Sequence, residues 1–93
     1  MLPEIKDIAQ ELNIAPETLW KESLLAYLTN EMRLVEMDIR DIQDRYRSRT
    51  PQELRQKIES NQIYSHPAWE EMIEWENLVA HQSMLLKIQR EIS

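Results

Sequence analysis

The chain has no glycine in 93 residues. At an ordinary usage of about 7%, a chain this long would carry about six or seven. Glycine serves where the backbone must adopt a left-handed turn or approach a ligand closely, so its absence argues against nucleotide-binding loops, tight β-hairpins and phosphate loops. The four prolines, Pro3, Pro16, Pro51 and Pro67, are spaced so that each can open a helix, where a missing N–H costs nothing. Together these features predict an all-α fold.

Such a chain needs support from outside itself. Cysteine is absent, which removes a disulfide framework, a thiol nucleophile and any cysteine-based zinc site. A domain under about 100 residues buries only some 60 to 68% of its unfolded surface, and the remaining support is association with another chain. No apolar run approaches the roughly 20 residues of a membrane span, and no cationic segment precedes an apolar one. The expectation is a cytoplasmic protein with no membrane contact. Its formal charge of −6 disfavours non-specific attraction to nucleic acid.

Ile5, Ile8, Ala9 and Leu12 recur at helical spacing, and Asn13 ends that pattern as a residue that tolerates the left-handed conformation. Pro16 then opens a pattern that nothing breaks before Ser48, a helix of about 48 Å if continuous. Its apolar positions form a heptad, with Leu25, Met32, Ile39 and Tyr46 at one site and Leu28, Val35 and Ile42 at the other. Two helices bury such a seam against each other, so Leu25, Leu28, Met32, Val35, Ile39 and Ile42 are expected to pair two copies of the chain. A second row, Leu24, Tyr27, Leu34 and Met37, widens the apolar face.

Thr50-Pro51-Gln52-Glu53 combines a capping hydroxyl, a proline at the first helical position and a glutamate three residues after the cap. A short helix with Leu54 and Ile58 follows and fails near Ser60-Asn61-Gln62. After a loop, Ser65-His66-Pro67 starts a final helix, acidic early and basic late, as the helix dipole favours. The expected organisation is a single helical domain over 1–93: a dimerising helix-turn-long helix unit over 1–47, a short helix and loop over 48–66, and a partner-binding C-terminal helix over 67–93. Hairpin-type packing of the long helix and an intertwined dimer complete the expected architecture.

The residues offer catalysis little. His66 and His81 are the only side chains that ordinarily titrate near neutrality, and neither has the Glu-x-x-His or His-Glu-x-x-His context of a metal site. No enzyme activity and no cofactor are expected. The positive charge is concentrated in Arg45, Arg47, Arg49, Arg55 and Lys57, which oppose Glu53 alone for +4 over thirteen residues. Two readings stand: contact with nucleic acid or with an acidic partner surface, or satisfaction of helix C-termini. Trp69 and Trp75, six residues apart on one helix, point to different faces, so one can sit in the chain's own core while the other meets a partner.

Glu11–Leu28, ELNIAPETLWKESLLAYL, resembles the two-helix part of ribbon-helix-helix antitoxins without the ribbon strand. Asn13 stands at the turn glycine, Ile14 at the turn aliphatic, and Leu19, Trp20, Leu24 and Leu28 at buried positions. Tyr46–Trp75, YRSRTPQELRQKIESNQIYSHPAWEEMIEW, is similar to the acidic helical tail of small prokaryotic antitoxins, with Ser48 and Asn61 at glycine positions and Met72-Ile73-Glu74-Trp75 closing the segment. The resemblance implies the antitoxin of a type II toxin–antitoxin pair. Such a protein covers the cleft of a toxin that is often a ribonuclease, here through Trp69, Met72, Ile73, Trp75 and Leu78. The alternatives are a DNA-binding regulator of its own operon, acting through Arg45–Lys57, and a structural helical adaptor.

Overall fold

The computed structural model describes residues 3–93; the first two residues of the 1–47 unit lie outside the described residues. Four helices and no strand are present among them: α1 Ile5–Leu12, α2 Pro16–Tyr46, α3 Pro51–Glu59 and α4 Ser65–Ile92. The fold is all-α, with one long central helix. Pro16 and Pro51 occupy the first turns of their helices. Pro3 does not; α1 starts beyond it, with Glu4 at the cap. At the head of α4 the backbone leaves helical geometry at His66 (φ −112°, ψ 127°), so regular helix runs from Pro67. The stretch around Thr29 and Asn30, composed of poor helix formers, does not interrupt α2.

The first three helices end in the same way. Asn13, Arg47 and Asn61 take left-handed φ values of 59°, 49° and 62°. In each case the next N–H reaches back five residues: Ile14 to the Ala9 carbonyl (3.0 Å), Ser48 to Gln43 (3.1 Å) and Gln62 to Lys57 (2.9 Å). This is the Schellman termination, which satisfies carbonyls the helix leaves without partners and normally employs glycine. Asn13 and Asn61 fill the turn positions expected from the sequence. At the third joint the left-handed residue is Arg47, one before the expected Ser48.

α3 begins at the predicted cap. The Thr50 Oγ1 accepts from the Glu53 N–H at 3.1 Å, and the Glu53 carboxylate accepts from the Arg49 N–H at 3.1 Å. The other end of α3 is fastened to α2, since Lys57 Nζ donates to the carbonyls of Tyr46 (3.1 Å) and Arg47 (2.6 Å). α4 then runs back along α2, and α1 packs on the start of α2.

One apolar cluster joins Leu28, Val35, Ile39 and Ile42 of α2, Leu54 and Ile58 of α3, and Ala68, Met72, Trp75 and Leu85 of α4. The heptad seam expected to pair two copies therefore lies against the chain's own α4. Leu28, Val35, Ile39 and Ile42 are buried within one chain, with Leu25 and Met32 half-buried beside them. The physical reason is geometric: a 3,4 apolar repeat needs a facing helix, and the turn through α3 returns α4 antiparallel at the right place to supply it.

The packing is uneven along the molecule. Where α2, α3 and α4 meet, Leu54, Met72 and Trp75 are fully buried. Beyond the reach of α3 only two helices remain side by side, with α1 at the tip. The molecule measures 61 × 27 × 18 Å and has a radius of gyration of 19.3 Å, against about 12 Å for a rounded domain of this length. Its accessible surface is 7267 Å², about 1,600 Å² more than a folded monomer of 11.2 kDa ordinarily exposes.

Candidate protein-binding surfaces

The residues expected to contact a partner on α4 divide between its two sides. Met72 and Trp75 are core residues; Trp75 is 1% exposed. Their assignment to a partner surface is corrected, because the face at Ala68, Met72 and Trp75 is the one on which α3 and α2 close. Leu78 is half-buried at the edge of that core. Trp69 and Ile73, 39% and 42% exposed, stand on the outer side. At about 100° per residue they share a strip with Ala80 and Met84, both also exposed. Glu70, Glu74 and Glu76 border this strip.

The strip is held on a rigid element. The Arg55 guanidinium lies 5.4 Å from the Trp69 ring centroid and 3.9 Å from the Glu76 carboxylate, a cation–π contact that still leaves the tryptophan partly exposed. His66 Nδ1 is 3.1 Å from the Glu70 carboxylate. A backbone N–H at Glu70's own position and then His66 hold that carboxyl below its ordinary range.

The basic stretch is largely engaged within the chain. Arg45 is ion-paired with Glu71, Arg55 is occupied by Trp69 and Glu76, and Lys57 caps the end of α2. Arg47 is the left-handed joint, and the Arg49 backbone serves the α3 cap through its N–H and the Gln43 amide through its carbonyl. Only Arg47 and Arg49 present guanidinium groups without such a role, so the five do not form one free cationic patch. Desolvation first, and then the hydrogen bond and charge of Glu71, push the Tyr46 phenol up to about 12.

A second exposed surface lies on the two-helix arm. The row Tyr27, Leu34 and Met37 is continued by Trp20, which stands 55% exposed beside a cavity of about 460 Å³ lined by Ile5, Pro16, Glu17, Trp20 and Lys21. On α1 only Ala9 is buried, while Ile5, Ile8 and Leu12 keep 40% or more of their surface in solvent. An eight-residue helix is too short to be stable alone, so its apolar side is expected to be covered. A larger groove of about 500 Å³ between α2, the start of α3 and α4 is lined by Glu36, Arg40, Gln43, Gln52, Val79 and Gln82 among others. No cluster of three metal-ligating side chains exists among the described residues.

A family-level comparison aligns residues 1–93 with the family described as "Uncharacterized protein MJ0235 family". The chain belongs to that family. No curated protein and no solved structure matches it. No helix among the described residues is long and apolar enough to cross a membrane.

Proposed function

We propose that the protein is a non-enzymatic, cytoplasmic antitoxin, acting as a homodimer, that silences a toxin protein by laying the outer side of α4 across its cleft. The observation that carries this reading is the exposed strip of Trp69, Ile73, Ala80 and Met84 bordered by Glu70, Glu74 and Glu76. An apolar strip anchored by an indole is how binding energy concentrates at an interface. A carboxylate border suits a cationic cleft built for RNA, both in steering the encounter and in fixing the register. Blockage and charge complementarity are the whole mechanism; the protein performs no chemistry.

The test uses the product of the gene adjacent to this one. Expressed alone that product should arrest growth, and co-expression of this chain should relieve the arrest. Trp69→Ala should weaken the purified complex at least about thirtyfold, as loss of a hot-spot residue does, and Ile73→Glu should do so by a similar factor. Unchanged affinity for both variants, with helicity and stability retained, overturns the assignment of this face. A harmless neighbour that does not co-purify overturns the antitoxin reading itself.

A further inference from the structure

The α2 strip of the arm is an interface of a different kind. Between residues 20 and 37 the side of α2 away from the core carries Trp20, Ser23, Ala26, Tyr27, Asn30, Arg33, Leu34 and Met37, by the rotation of about 100° per residue. Every one of them is exposed. In a chain that is 30% charged, this strip of about 27 Å holds a single charge. Glu22, Glu31 and Glu36 fall to its sides. Arg33 lies along it, its guanidinium donating to Asn30 Oδ1 at 2.8 Å and approaching Met37 Sδ at 3.5 Å. Loss of charge with aromatic residues, methionine and arginine retained is the composition of an interface centre.

We propose that two copies of the chain pair antiparallel through this strip, about a twofold axis at Tyr27. The strip is close to palindromic in size about that residue. Trp20 lies seven residues before it and Leu34 seven after, while small polar residues, Ser23 and Asn30, fall between on either side. A twofold axis at Tyr27 sets Trp20 against Leu34 of the second copy, twice, and Tyr27 beside its own counterpart. This is the self-complementarity that an isologous contact demands.

Charge supplies a separate check. The same operation brings Arg33 level with Glu22 of the second copy, on the same flank, so two opposite-charge pairs close the edge of the interface. Area permits a pairing: over the whole molecule the surface in excess of a rounded monomer is about 1,600 Å², against roughly 800 Å² per partner in a standard interface. The inference does not depend on the antitoxin reading, since it uses the face of α2 rather than that of α4.

The freedom of the chain from cysteine makes the geometry directly testable. Sedimentation of the full chain at micromolar concentration should give twice the 11.2 kDa monomer mass. Tyr27→Asp should weaken association at least about thirtyfold without loss of helicity. Under oxidation Tyr27→Cys should form a covalent dimer, and so should Trp20→Cys combined with Leu34→Cys. Leu34→Cys alone should not, because the two copies of that position are about 21 Å apart along the axis. Arg33→Glu should weaken the dimer about fivefold, and adding Glu22→Arg should restore it. A monomer at these concentrations overturns the proposal. So does cross-linking by Leu34→Cys alone, which marks a parallel pair, or a double charge reversal as weak as the single one. A chain that loses dimerisation with Ile73→Glu but not with Tyr27→Asp has its interface on α4, and overturns it too.

Discussion

The two ends of this molecule are made from the same two helices and differ in what a third helix adds. Near the α2–α3 joint, three helices enclose Leu54, Met72 and Trp75 completely. Toward the tip, α2 and the end of α4 lie side by side, and the eight residues of α1 pack on the start of α2. There Trp20 and Tyr27 stay 55% and 60% exposed, although the sequence is no less apolar. Two cylinders share one line of contact, whereas three enclose a volume, and only the latter can remove a large aromatic side chain from water on all sides. The nine residues of α3 therefore divide the molecule into a self-sufficient end and an end that needs covering.

The strongest way to break this contrast is to truncate a tryptophan at each end. Trp75→Ala should cost about 3–5 kcal/mol of unfolding free energy and Trp20→Ala less than about 1 kcal/mol, both by urea titration of dilute protein. Equal losses would mean that the arm is as well packed as the joint. Hydrogen exchange sharpens the contrast without mutation. Amides of α1 and the first turns of α2 should exchange through local opening, several kcal/mol below the global unfolding that governs Ala68–Glu76. At higher protein concentration that difference should shrink if the arm pairs with a second copy.

A smaller effect probes the element that creates the difference. Thr50→Ala removes the acceptor for the Glu53 N–H and should cost about 1 kcal/mol, lowering the denaturation midpoint while the denaturant slope stays unchanged. The smallest effect is alkaline. Because the Tyr46 phenol titrates near 12 when folded against an ordinary 10.0, the folded state holds its proton more tightly than the unfolded chain. That contribution is complete below pH 10 and is lost as pH rises through 12. Unfolding titrations between these values should show a decline in stability that Tyr46→Phe abolishes.

Much of the fold is legible in the sequence because helix ends are local. Asn13 stops a helix, Pro16 opens one, and Thr50 through Glu53 contain the whole α3 cap, each within a few residues. Partner assignment is not local. The heptad row Leu28, Val35, Ile39 and Ile42 states that a helix faces it but not whose helix, since α4 of the same chain and α2 of a second copy obey the same spacing. Rotation separates Trp69 from Trp75 without saying which is inward. One signal was available: Ala68, Met72 and Trp75 form a continuous row beginning with a residue small enough for close helix approach, opposite a short helix whose Leu54 and Ile58 require a floor. The tethering of Arg45, Arg55 and Lys57 depends on the chain reversing at α3, so a run of cations in one dimension becomes, in three, a set of separate fastenings.

The three Schellman joints carry a mechanical consequence. A glycine corner has many neighbouring conformations of similar energy and can swivel, but Asn13, Arg47 and Asn61 turn with a β-carbon in place, inside a narrow well bounded by steric walls. Bending at these elbows is resisted from both directions. Whatever shape change the molecule undergoes on meeting another polypeptide must then come from unwinding at a tip or sliding of one rod along another, because the corners themselves do not act as hinges.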